Sequence, residues 1–278
     1  MAQAPAQPQA TPQFQQPQAP PQAQPDLAQA NQDVIQGFTD STEKLLAGKR
    51  DTYSELITAI KLRSSAEAHS QHLSMRLIMA INDALVEHSG KEFGDITKRC
   101  RDDRRKVRGQ ATIDQYIESV LGSTQHIEMM LVNNMQKVCL DCGITMEKYD
   151  VSNQYWSSIN PQFQLLSMLM LDKMKLMMPS AKTCTVADAL AVFDFQIEHY
   201  PKVKVDVPNP QLLPMIKQSW LTDMVFEQLG LEEEDYIKTP GLEQNMQFRQ
   251  KAEQLATMIQ TEAMQTQGGF GGMMPGMF

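Results

Sequence analysis

The chain has 278 residues with 42% hydrophobic residues, 25 Lys and Arg against 33 Asp and Glu, and a formal net charge of -8. That is enough apolar material for one or two domains with a substantial core, and the acidic balance argues against a dedicated duplex binder, which is usually basic overall. The charge is uneven: residues 1–140 hold 15 basic and 16 acidic side chains, whereas residues 141–278 hold 10 and 17.

Residues 1–30 are almost wholly Gln, Pro and Ala. Such a composition buries too little apolar surface to offset the entropy of ordering, so a disordered tail with polyproline character is expected. The first basic residue is Lys44, so no charged region precedes an apolar run and neither a secretory leader nor an Arg-rich transit peptide is expected. Phe163–Met178, the most apolar segment, carries Asp172, Lys173 and Lys175 and falls short of the roughly 20 residues that span a bilayer. These features, with four cysteines and no Asn-x-Ser/Thr sequon, lead us to expect a soluble cytoplasmic protein, or one housed in a virion or other large assembly.

A helical domain is predicted over residues 31–265. Tyr53, Leu56, Ile57 and Ile60 begin an apolar stripe at spacings of three and four, which Leu73, Leu77, Ile81 and Leu85 extend to a break expected at Gly90. Lys98–Arg108 follows, with Lys98, Arg99, Arg101, Arg104, Arg105, Lys106 and Arg108 set against only Asp102 and Asp103. On a helical wheel Ile96, Cys100, Asp103 and Val107 make one narrow stripe suited to packing, leaving the cations on the remaining circumference. Pairs four residues apart, such as Lys98 with Asp102 and Arg99 with Asp103, are expected to neutralise part of the charge.

Three readings of this cluster stand: a solvated, self-paired helix face; a surface that docks an acidic protein; and a nonspecific contact with nucleic acid or anionic membrane. No aromatic residue lies between Phe93 and Tyr116, so base stacking and sequence-specific readout are not expected. The acidic run Leu231–Tyr236 (LEEEDY) is an obvious counterpart, expected on a neighbouring subunit in a head-to-tail homo-oligomer.

A sub-boundary is placed near residues 109–111. Ile113, Ile117, Val120, Ile127, Leu131 and Val138 form the next stripe, with an interruption expected at Gly122-Ser123. Cys139-Leu-Asp-Cys142 is a lone CxxC at a helix end. It lacks a second pair for zinc and the helix-start position that activates a redox thiol, so it reads as structural. His69 and His72 lie three apart, expected on one helical turn, and read as a solvated pair because no acidic partner sits at a recognised metal-binding offset.

Pro161 and Pro179 bracket a segment apolar nearly all round, expected to be the centre of the core. Thr185 with Asp188 reads as a capped helix start for the face of Ala189, Phe193 and Ile197. Residues 201–210 read as extended: Lys202–Val207 alternates strictly and is either a linker or an edge that adds to a partner's sheet. Leu213, Ile216, Trp220 and Val225 give a helix ending near Gly230, and Phe248, Ala252, Leu255 and Ile259 give the last.

Residues 266–278 form a flexible Gly/Met/Phe tail in which Phe270, Met273, Met274, Met277 and Phe278 are candidates for docking to a partner. In composition alone this tail resembles the Gly/Met-rich tails of chaperonins. Methionine, at 20 residues, suits either core filling or a groove that accepts an amphipathic helix.

No P-loop, GxGxxG, GxSxG, HExxH or EF-hand loop occurs, and neither cofactor nor metal is expected. The pattern therefore predicts an all-α protein: an irregular multi-helix bundle between two tails, acting without catalysis as an assembly, adaptor or scaffold component, viral or phage structural proteins included. Two alternatives are a nucleic-acid-associated protein using helix 98–108 and an enzyme with no recognisable motif.

Overall fold

The computed structural model describes residues 51–110, 112–160, 163 and 166–267, with a few isolated positions between 32 and 44. The tail predicted over 1–30 lies outside the described residues. So does the tail predicted over 266–278 from Gly268 onward, including Phe270, Met273, Met274, Met277 and Phe278. The described residues form nine α-helices and no strand, an all-α bundle.

Helix α1 (Tyr53–Ala66) starts on Thr52, whose side chain accepts from the Glu55 amide while Glu55 reaches back to the Thr52 amide; this reciprocal cap satisfies two otherwise orphaned donors. Helices α2 (Met75–Gln110) and α3 (Ile113–Cys142) form an antiparallel hairpin of 36 and 30 residues, about 54 and 45 Å long at 1.5 Å per residue. Gly109 and Gln110, in the sub-boundary expected near 109–111, belong to α2, and Ala111 lies outside the described residues. Thr112 caps α3 with Gln115, and Gly143 ends it at φ 71°, a left-handed conformation that glycine adopts without a Cβ clash.

The remaining helices are shorter: α4 (Met146–Ile159), α5 (Leu166–Met177), α6 (Val186–His199), α7 (Leu213–Leu229), the single turn α8 (Glu233–Tyr236) and α9 (Met246–Gln267). Thr185 and Asp188 form the expected capping box of α6.

Three apolar clusters organise the bundle. The largest surrounds the first half of α2, where Leu77, Ile78, Ile81, Ala84 and Leu85 are wholly or almost wholly buried against Ile60 of α1 and against α3, α4 and α5. Each such Leu or Ile side chain contributes on the order of 1.5–3 kcal/mol through removal from water. A second cluster joins α6, α7 and α8 through Val192, Val225 and Tyr236, with Leu242 from the loop after α8 and with Phe193 set edge-on to Phe248 of α9 at 5.0 Å. The third joins the start of α3 to α7 through Tyr116, Ile117, Val120 and Ile216.

Several local expectations are corrected. Helix α2 passes through Gly90, where a Cβ would come within 2.5 Å of the Met177 methyl group, so the glycine admits a close neighbour instead of breaking the helix. Helix α3 likewise runs through Gly122-Ser123, because tertiary packing on both flanks outweighs the ~1 kcal/mol helix penalty of one glycine. His69 and His72 lie in the turn between α1 and α2, where His72 stacks on Tyr155 at 4.1 Å.

Met174 of α5 and Met178 just after it enter the core, but α2 is the central helix; Asp172 is exposed. Residues 203–207 carry neither helix nor strand, Val203 is extended, and no strand pairing occurs there among the described residues.

Candidate functional site

Of the five arginines in the second half of α2, only Arg99 is exposed; Arg101, Arg104, Arg105 and Arg108 are buried or half-buried. Arg101 and Arg104 are only 6% and 7% exposed. Arg104 grips Asp223 of α7 with two hydrogen bonds of 2.7 Å, from Nε to Oδ2 and from Nη2 to Oδ1. Arg105 donates to the same carboxylate at 3.2 Å and makes a second two-pronged pair with Glu232, at 2.6 and 2.8 Å. Arg101 donates to Glu234 at 2.6 Å and lies 3.7 Å from Glu233, which also receives Lys175 of α5 at 2.9 Å.

Asp223 is 0% exposed and takes a further hydrogen bond from Tyr116 Oη at 2.8 Å. The carboxylate therefore has four donors: two arginine nitrogens from Arg104, one from Arg105 and a phenol.

Flat guanidinium groups also use their faces. Arg105 lies 3.8 Å from the centre of the Phe226 ring, and Arg108 lies 4.6 Å from that of Trp220, which meets Tyr116 edge-on at 4.7 Å. Arg108 Nη1 lies 2.8 Å from Glu227 Oε1 but out of hydrogen-bonding alignment. The result is a clamp of arginines and carboxylates joining α2, α3, α5, α7 and α8.

Burial pushes the Arg104 and Arg105 pKa values down, but Asp223 and Glu232 outweigh it, so both guanidiniums end above their ordinary value. Burial would likewise raise Glu233, yet Lys175 and Arg101 hold its carboxyl below the usual range. The Tyr116 phenol is raised by burial and by Asp223 and stays a donor. Removing one member of such a buried pair strands a charge and is expected to destabilise the fold by about 3–5 kcal/mol.

The acidic run Glu232–Glu234 thus meets the basic cluster within one chain, where a neighbouring subunit was expected. The reason is topological: Gly230, at φ 67°, ends α7 and turns the run back onto α2. The self-pairing expected four residues apart is also absent among the described residues; only Lys106 with Asp103, three apart, closes at 2.9 Å. Of the seven candidate cations, Lys98, Arg99 and Lys106 are exposed.

A different face of α2 borders an open groove of about 600 Å³ against α3. Ile96, Cys100 and Met130 line its apolar part, and Ser119, Gly122 and Ser123 keep the α3 wall low. A Cβ placed on Gly122 would meet nothing within 4 Å. Glu92, Asp95 and Asp103 stand along the groove against a single cation, Arg99. On α3, Met129 is 61% exposed at the groove, and Val132 and Leu140 continue an apolar stripe beyond it.

The residues that sequence reasoning missed are Tyr116, Trp220, Asp223 and the groove wall at Ser119, Gly122 and Ser123. Asp223 did carry a signal. It is the lone charge among Trp220, Leu221, Met224 and Val225, and such a charge persists in a packed face only when it is paired.

Cys139 and Cys142 are buried at the end of α3, where burial pushes their thiols up to about 12 and about 11. Both stay protonated near neutrality and are poor nucleophiles and metal ligands. Among the described residues no group of three His, Cys, Asp or Glu side chains is placed to hold a metal ion, and no helix is long and apolar enough to cross a membrane.

No family model matches the chain, and neither the curated proteins nor the solved structures include a match to it.

Proposed function

We propose that this protein is a non-catalytic adaptor or scaffold component that docks an amphipathic helix of a protein partner in the groove between α2 and α3. The observation that carries the reading is the groove itself: two long helices held apart over small residues, with apolar side chains below and an excess of carboxylates alongside. A helix with an i, i+3, i+4, i+7 apolar stripe and flanking Lys or Arg complements that surface. Methionine at positions 129 and 130 suits it to a partner whose shape is not tightly fixed.

Phosphate binding by the basic cluster is the weaker reading, because Arg101, Arg104, Arg105 and Arg108 already face carboxylates of the same chain. Displacing those partners would leave Asp223 buried and unpaired, at a penalty of several kcal/mol.

The test is a selection of helical peptides displayed against the full chain, with the Gly122→Phe variant as counter-screen. Phenylalanine at this open position fills the groove without touching the clamp. The expected outcome is recovered peptides with helical apolar spacing and basic flanks that lose at least tenfold in affinity to Gly122→Phe. Peptides that bind both proteins equally would contradict the reading.

A further inference from the structure

The outward face of α3 is more apolar than a solvated helix requires. Met129, Val132 and Leu140 are 61%, 54% and 77% exposed. With Gln125 and Gln136, also exposed, they recur in steps of three and four, the spacing that keeps side chains on one ridge of a helix. Apolar side chains gathered on one ridge mark a contact surface, whereas single scattered ones do not.

The charges beside the ridge identify what fits it. Lys137 is exposed and closes no ion pair among the described residues. Asp95, on the α2 wall of the groove, is likewise exposed and without an ion pair among the described residues. These two do not meet within one chain. Asn134 of α3 donates to Ser89 at 3.2 Å and to Glu92 at 2.9 Å, which fixes the level of α3 on α2 and leaves Lys137 roughly 9–13 Å along the hairpin from Asp95.

We propose that two copies of this chain pair through α3, antiparallel about a two-fold axis at Val132 and Asn133, with the α3 of each copy lying along the mouth of the other's α2–α3 groove. With the axis there, helix rise sets Lys137 of one copy abreast of Glu128 of the other, which is the level of Asp95 on α2, and the symmetry makes the same pair twice. Val132 meets its own counterpart at the axis, Met129 faces Gln136, and Leu140 faces Gln125. The charges fix this register, because a shift of one helical turn along the ridge parts Lys137 from Asp95. The inference rests on the groove reading for the α2 wall that accepts a helix, and it names a second copy as the source of that helix.

The experiment is sedimentation equilibrium of the full chain between about 1 and about 200 µM, which reads dissociation constants in the micromolar range. The parent is expected to pass from monomer to dimer across it. Lys137→Asp and Asp95→Lys each set like charges together and are expected to weaken the dimer at least tenfold, with circular dichroism equal to the parent's because both sites are exposed. Mixed in equal amounts, the two variants are expected to associate within about threefold of the parent, since a heterodimer of the two opposes unlike charges at both pairs. A parent that stays monomeric, variants that dimerise as the parent does, or a mixture no tighter than either variant alone would overturn the proposal. None of these outcomes decides the groove reading, which the peptide selection and Gly122→Phe test separately.

Discussion

The two halves of α2 are buried by opposite means. From Leu77 to Phe93 the helix packs with hydrocarbon, and Ile78, Ile81 and Ala84 have no exposed surface. From Arg101 to Arg108 it packs with charge, as Arg104 and Arg105 close on Asp223 and Glu232. Apolar burial is nondirectional and tolerates adjustment. Charged burial requires every partner in place, because an unpaired ion in the interior is far more costly than a small void. The first half therefore supplies stability, and the second fixes how α7 and α8 sit on the hairpin.

The largest effect expected from breaking this contrast is at Asp223. Asp223→Ala strands Arg104 and is expected to lower unfolding free energy by about 3–5 kcal/mol, measured by urea titration. Leu77→Ala in the first half is expected to cost about 2–5 kcal/mol through its cavity. The two should differ in kind: Leu77→Ala leaves the pH dependence of stability unchanged, whereas Asp223→Ala alters it.

Acid sharpens the same comparison. The Glu233 carboxyl is depressed by Lys175 and Arg101 against the opposing effect of burial, so the folded state binds its proton more weakly than the unfolded chain does. Its contribution is fully present above the ordinary value of 4.5 and is lost as pH falls through the lower folded value. Thermal unfolding followed between pH 6 and about pH 3 is expected to show a shallower acid decline for Glu233→Gln than for the parent. Identical slopes would remove Glu233 from the clamp. The smallest effect is expected at Lys106, whose pair with Asp103 is exposed: Lys106→Ala should change stability by about 0–0.5 kcal/mol.

This contrast also explains what was legible in the sequence. The stripe Leu77, Ile81, Leu85 and the capping residues Thr185 and Asp188 declare themselves locally, since spacing and capping need only neighbouring residues. The all-α bundle follows from them. A helical wheel gave Asp103 a packing position and Arg104 an exposed one, and the structure reverses both. The wheel weighs side chains by their own polarity, whereas Arg104 is buried by a carboxylate 119 residues away.

Gly90 and Gly122 were misread as breaks for a related reason. Their role depends on Met177, which approaches closely at the first, and on the open space at the second. Neither is visible from local propensity. The groove was not legible at all, because it is made by the register of two helices and not by any motif in either.

The most direct measurement of the clamp is a double-mutant cycle on Arg104→Met and Asp223→Leu by chemical denaturation. A clamp predicts that each single variant loses about 3 kcal/mol or more while the double variant recovers most of that loss, since neither charge is then stranded. Single variants as stable as the parent, or losses that simply add in the double variant, would contradict it and return the basic cluster to solvent.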